Sequence, residues 1–250
     1  MRAFLLALVL LAAWQAYAKL GGIDDFLLPA PTEIATAMFD DAGLLWSDFQ
    51  VTAAEVLLGI LVAIFLGVAC ALSIHLSQTL RQTVYPLLIA SQTIPIVIIA
   101  PLLVAWLGYD LAPKLAIIAL VCFFPVTVTA LDGLRSVDPE VRKLMRTLDA
   151  SRLEVLRRVE LPWALPAIFS GARIAVTVAV IAAVLAEQAG SSRGLGHLIL
   201  QAIPQFETAR AYAAVVILAA FAVVLFSLLT AAERLALPWA HRSQVEGERS

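Results

Sequence analysis

Residues 56–74 read VLLGILVAIFLGVACALSI, nineteen positions without one charge. At the helical rise such a run is about 28 Å long, close to the thickness of a bilayer's hydrocarbon core. It is bounded by Glu55 on one side and His75 on the other. Working outward, five more stretches have the same character: 3–18, a charge-free run in 83–107 broken by Pro86, Pro95 and Pro101, then 115–130, 164–186 and 211–232. The last is bounded by Arg210 and Glu233. The pattern predicts an all-α, polytopic membrane protein of about six transmembrane helices.

Composition agrees. The chain has 250 residues, is 62% hydrophobic and 14% charged, and has a mean hydropathy of +0.93. A soluble domain is roughly half apolar and a quarter charged, so this chain carries more apolar surface than one soluble core could hide. The net charge of −2 gives no sign of a nucleic-acid partner. Cys70 and Cys122 lie inside apolar runs, which reads as packing. His75, His197 and His241 are scattered, so the sequence offers no metal-ligand cluster.

The first run has a second reading. Arg2, a short apolar core and Ala16-Tyr17-Ala18 before Lys19 resemble a signal peptide with a small-residue cleavage site. The bulky, polar Trp14 and Gln15 weigh against it, and the other five spans do not depend on the choice.

Lys and Arg set orientation. Segment 21–51 has neither, yet holds Asp24, Asp25, Glu33, Asp40, Asp41 and Asp48. Segment 131–162 has Arg135, Arg142, Lys143, Arg146, Arg152, Arg157 and Arg158. The first is therefore expected outside and the second inside, which places both termini in the cytoplasm. In the outer segment, Leu28-Pro29-Ala30-Pro31 reads as extended chain. Thr32 is expected to cap a short amphipathic helix running to Phe39 and lying flat on the outer surface.

The inner loop carries the most information. Asp138-Pro139-Glu140 is a helix start, with a capping Asp, Pro in the first turn and Glu near the positive end of the dipole. Val141, Leu144, Met145 and Leu148 follow at i, i+3, i+4 and i+7, an amphipathic stripe. Asp149-Ala150 breaks it. Ser151 and Glu154 form a capping box for a second short helix with Leu153, Leu156 and Val159 on its apolar side, which Leu161-Pro162 is expected to end. Such stripes must cover something. Basic residues on anionic headgroups are one reading; a docking surface for a cytosolic protein is the other.

Lys143-Leu144-Met145, Asp149 and Val159-Glu160-Leu161-Pro162 have the spacing of a known cytoplasmic signature. It runs Glu-Ala-Ala, three residues, Gly, nine residues, Ile, one residue, Leu-Pro. On this spacing the chain resembles the binding-protein-dependent ABC transporter permeases. Lys143, Leu144 and Met145 depart from Glu-Ala-Ala, and Asp149 from Gly. The resemblance extends over 51–238 through Ser91-Gln92-Thr93-Ile94-Pro95, Ala100-Pro101-Leu102, Trp106-Leu107-Gly108-Tyr109, Phe123-Phe124-Pro125, Gly133-Leu134-Arg135-Ser136-Val137, Ala186-Glu187 and the run from Gly190 to Gly196. These segments look like the nitrate, sulfonate, taurine and pyrimidine-precursor branch.

The resemblance implies a type I importer permease fold in the plasma (inner) membrane: a first span and outer segment over 1–50, a permease domain over 51–238 with its coupling loop at 131–162, and a tail over 239–250. It implies a second permease subunit, expected to be an identical copy forming a homodimer, cytosolic ATPase subunits holding ATP and Mg, and an extracytoplasmic solute-binding protein. Lys143, Leu144, Met145, Leu148, Asp149, Ser151, Leu153, Leu156, Leu161 and Pro162 would meet the ATPase. The solute is expected to be a thiamine-type pyrimidine precursor, with alkanesulfonate, taurine and nitrate as alternatives.

The chain itself is not expected to be an enzyme or to bind a cofactor. It has no Gly-Lys pair and so no Walker A loop. The Gly190–Gly196 run reads as a flexible outer loop. Polar groups within spans are candidates for a solute path: Ser91, Gln92 and Thr93 before the helix-loosening Pro95, with bonding to a neighbouring helix as the alternative. Arg173 and Glu187 flank an apolar run. Arg173 is expected to snorkel to the inner headgroups and Glu187 to sit near the outer mouth, and both are candidates for gating. An ion-driven secondary transporter is the rival reading. It would need a buried titratable couple and usually an inverted repeat. No repeat is evident, and Glu187 is the one good acid. A membrane-embedded enzyme is disfavoured by the missing catalytic constellation.

Overall fold

A computed structural model describes residues 2–22, 24 and 26–239. Its helices are α1 (Arg2–Leu20), α2 (Pro31–Asp40), α3 (Ala42–Leu76), α4 (Gln78–Ser91), α5 (Ile96–Leu107), α6 (Leu111–Arg135), α7 (Pro139–Thr147), α8 (Arg152–Val155), α9 (Leu161–Gly190), α10 (Leu195–Ala202) and α11 (Thr208–Ala236). A π-helical turn, Leu156–Glu160, joins α8 to α9. The described residues form no strand. The tail, apart from Trp239, lies outside the described residues.

Four continuous helical rods are long and apolar enough to cross a membrane: α3, α6, Arg152–Gly190 and α11. A fifth crossing is α4 with α5, bent by 101°. The break falls at Pro95, which caps α5 and has no N–H to continue α4. Pro86 and Pro101 lie inside their helices. The described apolar part of α1, Leu5–Leu20, is shorter, so four or five helical segments of spanning length stand against the six expected runs.

α3, α6 and α9 form the centre. Their contact faces are lined by small residues, including Ala63, Ala175, Ala179, Ala182 and Ala183, all buried. Between lipid-solvated helices, close backbone approach replaces the hydrophobic effect as the source of adhesion. Gly171 shows how close: a Cβ there would overlap the Thr129 hydroxyl of α6.

Several local expectations are corrected. Ala30, not Thr32, caps α2, with Pro31 in the first turn and the Glu33 carboxylate accepting from Ala30 N–H at 2.8 Å. Thr32 instead pairs with the Gln15 amide of α1, at 3.1 and 3.2 Å. Nor does α2 simply lie on lipid. Ile34 is buried, and Ala37 and Met38 pack against the core. The candidate cleavage site lies within α1, with Ala18 buried and Ala16 and Tyr17 exposed. Trp14 and Tyr212 seat α1 on α11, with ring centroids 6.1 Å apart. Leu161-Pro162 does not end the second loop helix. The wider π-helical turn makes room for the proline ring, and α8 runs through it into α9.

Candidate coupling loop and membrane polar sites

The loop between α6 and α9 is held at both ends by its own side chains. Asp138 Oδ1 accepts from Glu140 N–H at 2.8 Å and opens α7. α7 closes in a Schellman turn: Ala150 N–H reaches Met145 O and Asp149 N–H reaches Arg146 O, both at 3.1 Å. That geometry puts Asp149 at φ 52°, the left-handed region that glycine occupies most cheaply. The signature glycine is therefore a turn requirement, and Asp149 meets it with strain. Ser151 and Glu154 then form the expected capping box.

Opposite faces of α7 do different things. Leu144, Leu148 and Leu153 of the next turn are exposed, at 60%, 69% and 52%. Lys143, Asp149 and Ser151 are exposed beside them, while Met145, Leu161 and Pro162 are half-buried. Leu156 is not part of the open stripe. It is buried among Ala71, Ile74, Ala130, Leu131 and Leu134, where α3 and α6 end. Arg142 and Arg146 project from the other side of α7, two residues out of phase with the leucines. Arg142 Nη2 donates to Leu134 O at 2.8 Å, and its Nε lies 2.8 Å from Glu160 Oε1. Glu160 Oε2 also meets His75 Nε2 at 2.8 Å. One buried carboxylate thus ties α7 to the end of α3.

Within the span, Ser91, Gln92, Thr93 and Pro95 sit at the break between α4 and α5 and are exposed in the isolated chain. Ser91 and Thr93 do not bond a neighbouring helix. Their hydroxyls turn back to Leu88 O and Ala90 O, at 2.7 and 2.8 Å. Arg173 pairs with Glu233 of α11 at 3.0 Å and donates to Ser170 Oγ at 2.9 Å.

Glu187 is fully buried. Its Oε1 accepts from Thr52 Oγ1 at 2.6 Å and its Oε2 from Gly196 N–H at 2.5 Å. The Thr52 hydroxyl accepts from Leu195 N–H at 2.9 Å, and Asp48 Oδ1 accepts from Gly194 N–H at 3.1 Å. The glycine run is therefore clamped, not a flexible loop. Gly194 has φ +112°, and a side chain there would enter the Glu187 carboxylate.

Next to this clamp lies a pair that sequence reasoning missed. Lys114 Nζ of α6 is 2.6 Å from Glu55 Oε1 of α3 and 2.7 Å from Ser191 Oγ. Both charges are buried. Each directly precedes an apolar run, so each passed for a boundary charge. The available signal was topological: both stand just before the apolar runs of two spans that run parallel, separated by one crossing. Glu160 and Glu233 were missed for the same reason.

Residues 59–237 match the family described as the binding-protein-dependent transport system inner membrane component. The chain belongs to this family. The permease is 41% identical over 218 residues to a probable ABC transporter permease of Haemophilus influenzae, covering 87% of this chain and 89% of that one. It is 34% identical to the formylaminopyrimidine transport permease ThiX of Halalkalibacterium halodurans, over 93% of both. A putative aliphatic sulfonates transport permease of Bacillus subtilis is 31% identical, over 99% of this chain and 90% of that one. A crystal structure of an amino acid ABC transporter shares the fold, with TM-score 0.62 at 18% identity, over 80% of this chain and 95% of that one. The permease thus has the type I importer fold and is a non-catalytic, multi-pass membrane subunit of an ABC importer. The buried Glu55–Lys114 couple satisfies one requirement of a secondary transporter, but the family places the chain with the ABC importers.

Proposed function

We propose that the permease moves a thiamine-type pyrimidine precursor inward, as one of two permease subunits, with ATP and Mg held by separate cytosolic ATPase subunits and solute delivered by an extracytoplasmic binding protein. The observation that carries the ATPase part is the row of exposed Leu144, Leu148 and Leu153 across α7 and the start of α8, with both helices capped by their own side chains. Apolar side chains held rigidly in the cytoplasm fit helix-in-groove docking. The Glu160 hub and the continuous rod into α9 would pass movement of the docked ATPase to the pore. The break at Ser91, Gln92, Thr93 and Pro95 supplies polar, non-helical backbone for the path, and Arg173 and Glu187 brace the helices around it. The pyrimidine assignment is supported by the 34% identity to ThiX over nearly the full chain.

Docking is tested by co-purifying the ATPase with Leu148→Glu and, in parallel, with an Arg157→Glu, Arg158→Glu double variant. A desolvated, unpaired charge costs several kcal/mol, so Leu148→Glu should lose the ATPase while inserting normally. The double variant should keep it. Full ATPase recovery with Leu148→Glu sinks the docking role. For the solute, proteoliposomes with the ATPase and binding protein should take up formylaminopyrimidine in preference to taurine, alkanesulfonate or nitrate.

A further inference from the structure

Behind the leucine face of α7 is a cleft of about 440 Å³ lined by His75, Arg142, Arg146, Arg152, Val155 and Glu160. It lies between the inner end of α3 and the two loop helices. Its charge is lopsided: three guanidinium groups face one carboxylate. Glu160 is already shared between His75 and Arg142. The Arg142 Nε–H is buried and lies off the line to Glu160, so it finds no aligned acceptor. Arg146 and Arg152 have no hydrogen-bond or ion-pair partner among the described residues. The cleft therefore offers several convergent N–H donors with no acceptor of their own.

We infer that this cleft binds a phosphate group. Guanidinium forks match phosphate oxygens in pairs, and the surplus positive charge suits a singly or doubly charged anion. Because Arg142 and Arg146 point away from Leu144 and Leu148, a partner on the leucine face leaves the cleft open. The site takes its inside position from the distribution of arginines and does not depend on ATPase docking. The phosphate belongs either to an anionic lipid of the inner leaflet or to a soluble phosphate compound, and the chemistry of recognition is the same.

The test uses the purified full chain without the ATPase. In nanodiscs of phosphatidylcholine with a minor share of phosphatidylglycerol, native mass spectrometry should retain phosphatidylglycerol on the wild type. In phosphatidylcholine alone, calorimetry with glycerol 1-phosphate reads the soluble source. An Arg146→Ala, Arg152→Ala variant should bind the preferred probe at least tenfold more weakly. An Arg157→Ala, Arg158→Ala variant removes the same charge outside the cleft and should bind like wild type. Retention of the lipid alone assigns the site to the leaflet, and binding of glycerol phosphate assigns it to a soluble anion. Equal loss in both double variants means a diffuse charge effect and overturns the cleft. So does the failure of both probes to bind the wild type.

Discussion

The Thr52 hydroxyl donates to Glu187 Oε1 across 2.6 Å, joining α3 to α9 at a point where both residues are fully buried. The same oxygen accepts from Leu195 N–H, so one atom holds two helices and the start of α10. Removing it strands both partners. Thr52→Val keeps the shape and deletes the bonds, and each stranded buried group costs about 1–3 kcal/mol. The detergent-solubilised variant should unfold at lower temperature, while Thr52→Ser stays near wild type. Equal melting of Thr52→Val and wild type would show that the bond contributes nothing net.

Gly194 stands at φ +112° with the Glu187 carboxylate where a Cβ would be. Gly194→Ala should lose about 1–3 kcal/mol from backbone strain, plus the overlap with Glu187. Gly43→Ala is the contrast, because a Cβ at Gly43 meets nothing within 4 Å and the site is in the first turn of α3. It should be neutral or slightly stabilising. Thermal melting of the two variants side by side checks the clamp: similar values would mean the glycine run tolerates side chains and is loose after all.

Asp149 closes the Schellman turn at φ 52°. A left-handed conformation costs an L-residue about 1–2 kcal/mol, less for Asp than for most. Asp149→Gly should therefore slow amide exchange through Pro139–Thr147, and Asp149→Val should speed it. The opposite order would refute the turn as the reason for glycine in the signature.

Leu156 and Leu153 read alike in the sequence and differ in space. Leu156 is 7% exposed and packs with the inner core. Leu156→Ala should cost about 2–5 kcal/mol of stability. Leu153→Ala should leave melting nearly unchanged and weaken ATPase recovery. If both variants instead melt like wild type, the inner end of the bundle is less tightly packed than described.

Asp40 and Arg146 are both exposed and belong to segments of opposite charge bias. A cysteine at Asp40 should react in whole cells with an impermeant thiol reagent. One at Arg146 should react only after the membrane is opened. The reverse pattern would invert the orientation, and with it the inward direction of transport.

Most of the spans and the helix starts of the inner loop could be read from residue order. Each rests on interactions within one turn or one membrane thickness. A charge-free run favours lipid, Asp138 and Ser151 cap the helices they precede, and seven Lys and Arg crowd the 131–162 loop. Which of three prolines breaks the third span was not legible, because a proline in a helix is tolerated wherever neighbours cover the freed carbonyl. Pro86 and Pro101 are tolerated, and Pro95 is not.

The polar contacts that hold the bundle were decided only in three dimensions. Thr52 and Glu187 are 135 residues apart, and Lys114 and Glu55 are 59 apart. Along the chain, Glu55, Lys114, Glu160 and Glu233 look like charges at the edges of apolar runs, free to reach water. Helix packing removes that water, and each then takes the partner that a neighbouring helix presents at the same depth. Local sequence sets where a helix begins and which solvent it crosses. It does not set the rotation of one helix against the next, which follows from the fit of small residues such as Gly171 against Thr129. That rotation chose the partners.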